Sequence, residues 1–190
     1  MRIADPPTVD LPGFRLRPVE LDDIPAWYSY LRLPHVVEHT SWNLVAESDL
    51  NTVVSRFNST DAASPIRFVI EQTDSRQFAG TIGFHSISLE CQTAEVGYDL
   101  HPDCWGRGIA TAACEAVTSW GIVACGFAQI QAITLESNEK SKHVLRRCGF
   151  DFEKVLSSLR LVRGVPRDFL LFARRAVSND IPMSPVHRHR

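Results

Sequence analysis

The stretch Glu95-Val-Gly-Tyr-Asp-Leu-His-Pro-Asp-Cys-Trp-Gly-Arg-Gly-Ile-Ala-Thr111 carries the clearest chemical signal in the chain. A strand pattern runs there into a turn whose glycines, Gly106 and Gly108, stand just before a long helical pattern. The first amides of a helix have no partner inside it, and the helix dipole places positive charge at the same end, so this corner suits an anion. Glycine lets backbone approach a phosphate without an intruding Cβ, and Arg107 between the two glycines could add a cation. A plain tight turn capping a helix is the alternative. Two other phosphate motifs do not fit. A dinucleotide fingerprint needs Gly or Ala where Thr111 stands and a parallel strand-helix-strand unit, whereas the preceding strands read as antiparallel. A P-loop needs Gly-Lys-Ser/Thr, which never occurs.

A second pattern, His35-Val-Val-Glu-His39, spells the H-x-x-E-H of inverted zinc peptidases. Pro34 directly before it and Thr-Ser-Trp-Asn after it leave room for little helix, and a surface or substrate-pocket role suits His35 and His39 better. His85, His101 and His143 are scattered, while His187 and His189 lie in the tail, so no metal site is expected. The five cysteines (Cys91, Cys104, Cys114, Cys125, Cys148) form no CxxC pair and read as reduced, mostly buried thiols.

The elements that must position these residues fit in one domain. With 190 residues, 44% hydrophobic and 22% charged, the chain can bury one real core. A net charge of −2 offers no whole-chain positive field for nucleic acid or an anionic membrane. The N-terminus lacks the apolar core of a signal peptide, and the longest clean apolar run, Phe169 to Ala173, is far short of a membrane span. A cytoplasmic protein with no nucleic-acid or membrane partner is therefore expected, as a monomer or homodimer. Residues 1–13 read as a loose lead-in and 177–190 as a loose tail, leaving a domain over 14–176.

Alternation predicts a strand from Phe14 to Pro18, then a helix entered at Glu20-Leu-Asp-Asp with Ile24, Trp27 and Leu31 inward, ending before Pro34. A second helix is expected over Ala46 to Phe57. Three strands follow, Arg67 to Glu71, Phe78 to Ile87 and Thr93 to Leu100, at a spacing suited to an antiparallel meander. The period then changes. Ile109 to Ala124 reads as a long amphipathic helix, Gln129 to Leu135 as a strand, and Glu139 to Cys148 as a helix closed by Gly149. Strands over Phe152 to Val162 and Asp168 to Ala173 are joined by the turn Arg163-Gly-Val-Pro-Arg. The result is an α+β domain around a mixed sheet.

Several ordered pieces together resemble the GNAT acetyltransferase superfamily, and within it the Rim-type ribosomal-protein N-acetyltransferase branch. They are Leu16-Arg-Pro, Phe78-Ala-Gly-Thr-Ile-Gly-Phe, Ala94-Glu-Val-Gly-Tyr, His101-Pro-Asp-Cys-Trp-Gly-Arg-Gly-Ile-Ala-Thr, Asn138-Glu-Lys-Ser, Val144-Leu-Arg-Arg-Cys-Gly-Phe and Gly164 to Asp168. The resemblance spans about Phe14 to Ala173. It implies a mixed, mostly antiparallel central sheet flanked by helices, with a V-shaped splay between strands 4 and 5. It also implies acetyl-CoA as co-substrate. The pyrophosphate would sit on the amides of Gly106, Arg107, Gly108, Ile109, Ala110 and Thr111, backbone from Tyr98 to Leu100 would hold the thioester carbonyl, and Asn138 would touch the pantetheine arm. Asp103 departs from the Gln or Arg frequent at its position and is expected to point away from the anion.

Acetyl transfer to an amine needs the neutral nitrogen, and deprotonation at pH 7 costs about 4.6 kcal/mol for a lysine amine but only about 1 to 1.4 kcal/mol for an α-amine. Glu95, on the strand beside the expected thioester, could take that proton directly or through a water, or could instead be a solvated or ion-paired strand residue. Ser141 matches the family's Asn-x-x-Ser and could hydrogen-bond to the departing thiolate, or be an ordinary residue of the helix start. Tyr98 is a lesser candidate, since an aromatic in that alternation is more often core. Trp42 could wall the acceptor pocket or anchor the local core, and Cys148 reads as packing. The expected function is thus N-acetylation of a primary amine by direct attack, with a protein N-terminal α-amine first among acceptors. A small amine or antibiotic, or a CoA-binding module without catalysis, are the alternatives.

Overall fold

The computed structural model describes residues 6–38, 40, 42–57 and 61–177. Its strands are β1 (Phe14–Pro18), β2 (Ile66–Gln72), β3 (Phe78–Ser88), β4 (Thr93–Leu100), β5 (Gln129–Leu135), β6 (Asp151–Val162) and β7 (Val165–Arg175). Its α-helices are α1 (Ile24–Leu31), α2 (Pro34–Val37), α3 (Asp49–Val54), α4 (Ile109–Val123) and α5 (Glu139–Arg147). Among the described residues the strands form one sheet in the order β1-β2-β3-β4-β5-β7-β6. Neighbours pair antiparallel except β4 and β5, which run parallel.

Two cores cover the two faces. Because side chains alternate across a strand, Phe68, Ile70, Ile82, Phe84 and Val96 meet α4 and α5 on one face, against Ala113, Val117 and Leu145. On the other face Val69 joins Trp27, Tyr30, Leu31 and Leu50 from α1 and α3. Truncating a ring such as Phe84, which is 5.4 Å from Phe127 and 6.3 Å from Trp120, would cost about 3–5 kcal/mol. Gly121 in α4 is required by this packing, since a Cβ there would fall 2.5 Å from Phe84 Cζ.

The parallel pair is the feature that makes a site. β4 and β5 pair only from Thr93–Gln129 to Glu95–Gln131, yet β4 continues to Leu100 and β5 to Leu135. The strands part after Glu95 and open the splay that the family resemblance implied.

Several boundaries differ from the sequence expectations. The first helix ends at Leu31, before Pro34 as expected, but Pro34 then opens the short α2 at its first turn, where a missing N–H is harmless. The second helix is only Asp49–Val54, because the Asp49 carboxylate accepts from the amides of Val45 and Ala46 and holds the chain before it in a turn. β7 starts at Val165, so the β6–β7 turn narrows to Arg163 and Gly164, both at positive φ. The lead-in is not wholly loose: Val9 is buried in the core, and Gly13 accepts a hydrogen bond from the Thr73 amide. The tail from 178 onward lies outside the described residues.

Candidate active site

A cleft of about 440 Å³ occupies the splay. Glu95, Gly97 and Asp99 project from β4 to one side of the sheet, while Val96, Tyr98 and Leu100 project to the other, so one strand lines both walls.

On the first wall stand two buried carboxylates. Asp99 is saturated: Trp27 Nε1 donates to it at 2.9 Å, Arg67 Nη2 at 2.8 Å and Thr81 Oγ1 at 3.0 Å, and the Tyr30 hydroxyl donates as well. Arg67 also reaches the Gly97 carbonyl at 2.8 Å and lies over the Trp27 ring. Burial first, and Asp99 second, push the Tyr30 phenol far up, so its hydroxyl keeps its proton through neutral pH. Glu95 is partnered differently. His85 Nε2 lies 3.0 Å from its Oε1, and Arg160 Nη2 stands off at 3.7 Å.

On the second wall the Tyr98 hydroxyl lies 3.0 Å from Ser141 Oγ and 3.3 Å from the Ser141 carbonyl. Asn138 places Ser141 there by capping α5, its side-chain oxygen accepting from the Ser141 amide at 3.0 Å. Burial is the largest influence on the Tyr98 phenol and pushes it well above its ordinary value, against a smaller opposite pull from Ser141. At neutral pH Tyr98 is a proton donor and not an acceptor. Glu95, Tyr98, Asn138 and Ser141 therefore share one cleft.

The glycine corner lies past the end of β4. Gly106 and Gly108 sit at φ 72° and 77°, a conformation that strains other residues, and Gly108 is the N-cap of α4. With no side chain to cap it, the first turn of α4 directs the amides of Ile109, Ala110 and Thr111 outward, and nothing lies within 4 Å of where a Cβ on either glycine would stand. Ile109 is buried and anchors this helix start in the core. An uncapped, uncovered helix start of this kind fits a diphosphate. Arg107 is engaged elsewhere, its guanidinium 5.8 Å over the Phe14 ring of β1. The Lys140 ammonium, which sequence reasoning did not single out, lies 4.1 Å over Trp105, one residue before the turn. Trp105 Nε1 donates to the Leu100 carbonyl at 3.0 Å, tying the indole to the end of β4. Asp103 is 85% exposed, its carboxylate 3.7 Å from His101.

His85, Arg160 and the Arg67–Asp99 pair are the cleft residues that the sequence analysis missed or set aside. His35 packs edge-on against Trp105 at 5.9 Å from a helix of four residues, and His39 lies outside the described residues. Among the described residues no three His, Cys, Asp or Glu side chains gather as metal ligands, and no helix is long and apolar enough to cross a membrane. All five cysteines are free; Cys104, Cys114 and Cys148 are buried, and Cys148 packs with its thiol 3.4 Å from the Thr111 carbonyl.

Residues 14–151 match the family model of the acetyltransferase (GNAT) domain. The chain is 37% identical over 103 residues to the uncharacterized N-acetyltransferase YoaA of Bacillus subtilis, a match covering 54% of this chain and 58% of YoaA. It is 26% identical over 162 residues to the uncharacterized N-acetyltransferase p20 of Bacillus licheniformis, covering 83% of this chain and 90% of p20. Among solved structures, Mycobacterium smegmatis RimJ in complex with CoA-disulfide superposes with a TM-score of 0.75 at 26% identity, covering 90% of this chain and 86% of that one. With the family match extending over most of the domain that carries the splayed strands and the glycine corner, the chain belongs to the GNAT family of acetyl-CoA-dependent N-acetyltransferases.

Proposed function

We propose that this chain transfers the acetyl group of acetyl-CoA to an N-terminal α-amine of a protein or peptide by direct attack, without an acyl-enzyme. The observation that carries the reading is the cleft at the parting of β4 and β5, with a buried carboxylate on one wall and a protonated phenol–hydroxyl pair on the other. Acetyl-CoA supplies a thioester carbonyl. The amides of Gly106 to Thr111 hold its diphosphate, with Lys140 as the nearby cation; backbone at Tyr98 and Leu100 lines the path to the thioester, and Asn138 meets the pantetheine arm. The wall that carries Glu95 and its paired His85 draws off the ammonium proton, and Tyr98 with Ser141 returns a proton to the departing sulfur.

The acceptor follows from charge and proton cost. Arg67 and Arg160 offset Asp99 and Glu95 in the cleft, and Asp99 has no remaining capacity, so a polycation finds no acidic pair to hold its second amine. An α-amine also asks least of the base, as the deprotonation cost of about 1 to 1.4 kcal/mol shows. The likeness to RimJ supports the Rim-type branch. The test is release of CoA thiol with an N-terminal alanyl peptide, spermidine and kanamycin as acceptors. The peptide should exceed spermidine in kcat/KM by about tenfold, the equivalent of one 1.4 kcal/mol interaction. Thiol release that no amine accelerates, alongside ordinary acetyl-CoA binding, would reduce the protein to a CoA-binding module.

A further inference from the structure

Glu95 and His85 both line the cleft, but the Glu95 side chain is only 9% exposed while the His85 ring beside it is 37% exposed. We infer that His85 receives the acceptor's proton at Nδ1 and that Glu95 is the positioning carboxylate behind it; the inference deepens the proposed amine acetylation and rests on it.

The backbone is bent to make this pair. Counted back from the β3–β4 turn, where Ser88 faces Thr93, an unbroken ladder would set Ser86 opposite Glu95 and turn His85 to the other face. A one-residue bulge intervenes, with Ser86 at φ 51°, and His85 becomes the cross-strand partner of Glu95. Gly97 completes the seat, because a Cβ there would fall 2.9 Å from His85 Cε1. A second bulge, in β6 between Leu156 and Arg160, has Ser158 at φ 53° and its amide held by the Asp168 carboxylate at 2.8 Å. It brings Arg160 within 3.7 Å of Glu95. Two separate irregularities, each holding a serine in a conformation that disfavours side chains, thus converge on one carboxylate.

The geometry sets the tautomer. An ionised Glu95 accepts from Nε2–H, so Nδ1 carries the lone pair, and among the described residues Nδ1 has no hydrogen-bond partner. The charged groups around the ring are Glu95 and Asp99 of β4, Arg67 of β2 and Arg160 of β6, with Asp99 and Arg67 bound to each other. In the reaction an R–NH3+ acceptor gives one proton to Nδ1, forming an imidazolium paired to Glu95. The freed nitrogen pair forms the C–N bond at the thioester carbonyl, and the C–S bond breaks with its electrons on sulfur. Tyr98 protonates the sulfur and regains a proton from the new amide nitrogen, and His85 returns its proton to water, so one proton is released per turnover.

The test is the pH dependence of kcat with the three acceptors named above. In His85→Gln, kcat should fall about 100-fold, within the range for losing a general base, with the acid limb of the profile gone and acetyl-CoA affinity unchanged within about twofold. Added imidazole should restore turnover to His85→Ala. Wild-type kcat and an intact acid limb in His85→Gln would overturn the inference. If the wild-type protein acetylates no amine, the proposed function fails by itself, and nitrogen NMR of the imidazole still decides the pair: neutral His85 should be the Nε2–H tautomer, mixed in Glu95→Gln, and an Nδ1–H tautomer in the wild type would contradict it.

Discussion

Asp99 and Glu95 stand four residues apart on the same face of β4, and both are buried, yet they have opposite consequences. Asp99 receives four donors from three strands or helices: Trp27 and Tyr30 of α1, Arg67 of β2 and Thr81 of β3. Each donor would be left short without it, so the carboxylate ties α1 to the sheet. Glu95 lies where β4 leaves β5, with one close partner, an imidazole that can itself carry a proton, and one distant guanidinium. Equal burial thus gives a fastening in one place and, on the proposed reading, a reactive group in the other, and what separates them is how fully each carboxylate is already bonded.

The largest effect expected on this contrast is in Asp99→Ala. Breaking a buried ion pair from one side costs about 3–5 kcal/mol, which for a chain of this size lowers Tm by roughly 10 °C. A Tm within 2 °C of wild type would remove the distinction between the two carboxylates. A smaller effect tests the opposite wall. Tyr98→Phe and Ser141→Ala should each lower kcat about tenfold, and the double variant little further, because the two groups act as one donor; full multiplicativity in steady-state rates would show that they act separately. The smallest effect is alkaline. Tyr30 and Tyr98 are pushed up in the folded protein, so above pH about 10 the unfolded chain loses phenolic protons that the folded chain retains. The folded state then binds more protons, stability is fully present below that pH and declines above it, and Tyr98→Phe should make the decline in urea midpoints shallower.

Much of the fold was legible because it is written in period. The alternation of Phe68, Ile70, Ile82 and Phe84 and the helical spacing of Ala113 and Val117 each announce a buried face, and the structure packs them together. The glycine corner was legible because Gly106 and Gly108 precede a helix with no capping side chain. The splay was not visible in any pattern of residues; it came from the family resemblance, since alternation along β4 and β5 is the same where they pair and where they part. His85 and Arg160 were missed for a definite reason. Each reaches Glu95 through a bulge at a serine, and a bulge shifts register without changing hydrophobic alternation enough to be counted. The place of the Arg107 side chain was not legible, because sequence shows a cation beside glycines but not the Phe14 ring under its guanidinium. Asp49 likewise shortened α3 through a turn that its own side chain builds.

The claim at the centre is that the Glu95 site does chemistry and not fastening, and Glu95→Gln tests it most directly. Acetyl-CoA binding by calorimetry and CoA-thiol release with the alanyl peptide should be measured on the same preparation. Affinity and Tm should stay close to wild type while kcat falls about 100-fold, because the imidazole that takes the proton loses the carboxylate that orients it and pairs with its charge. Wild-type turnover in that variant would contradict the claim.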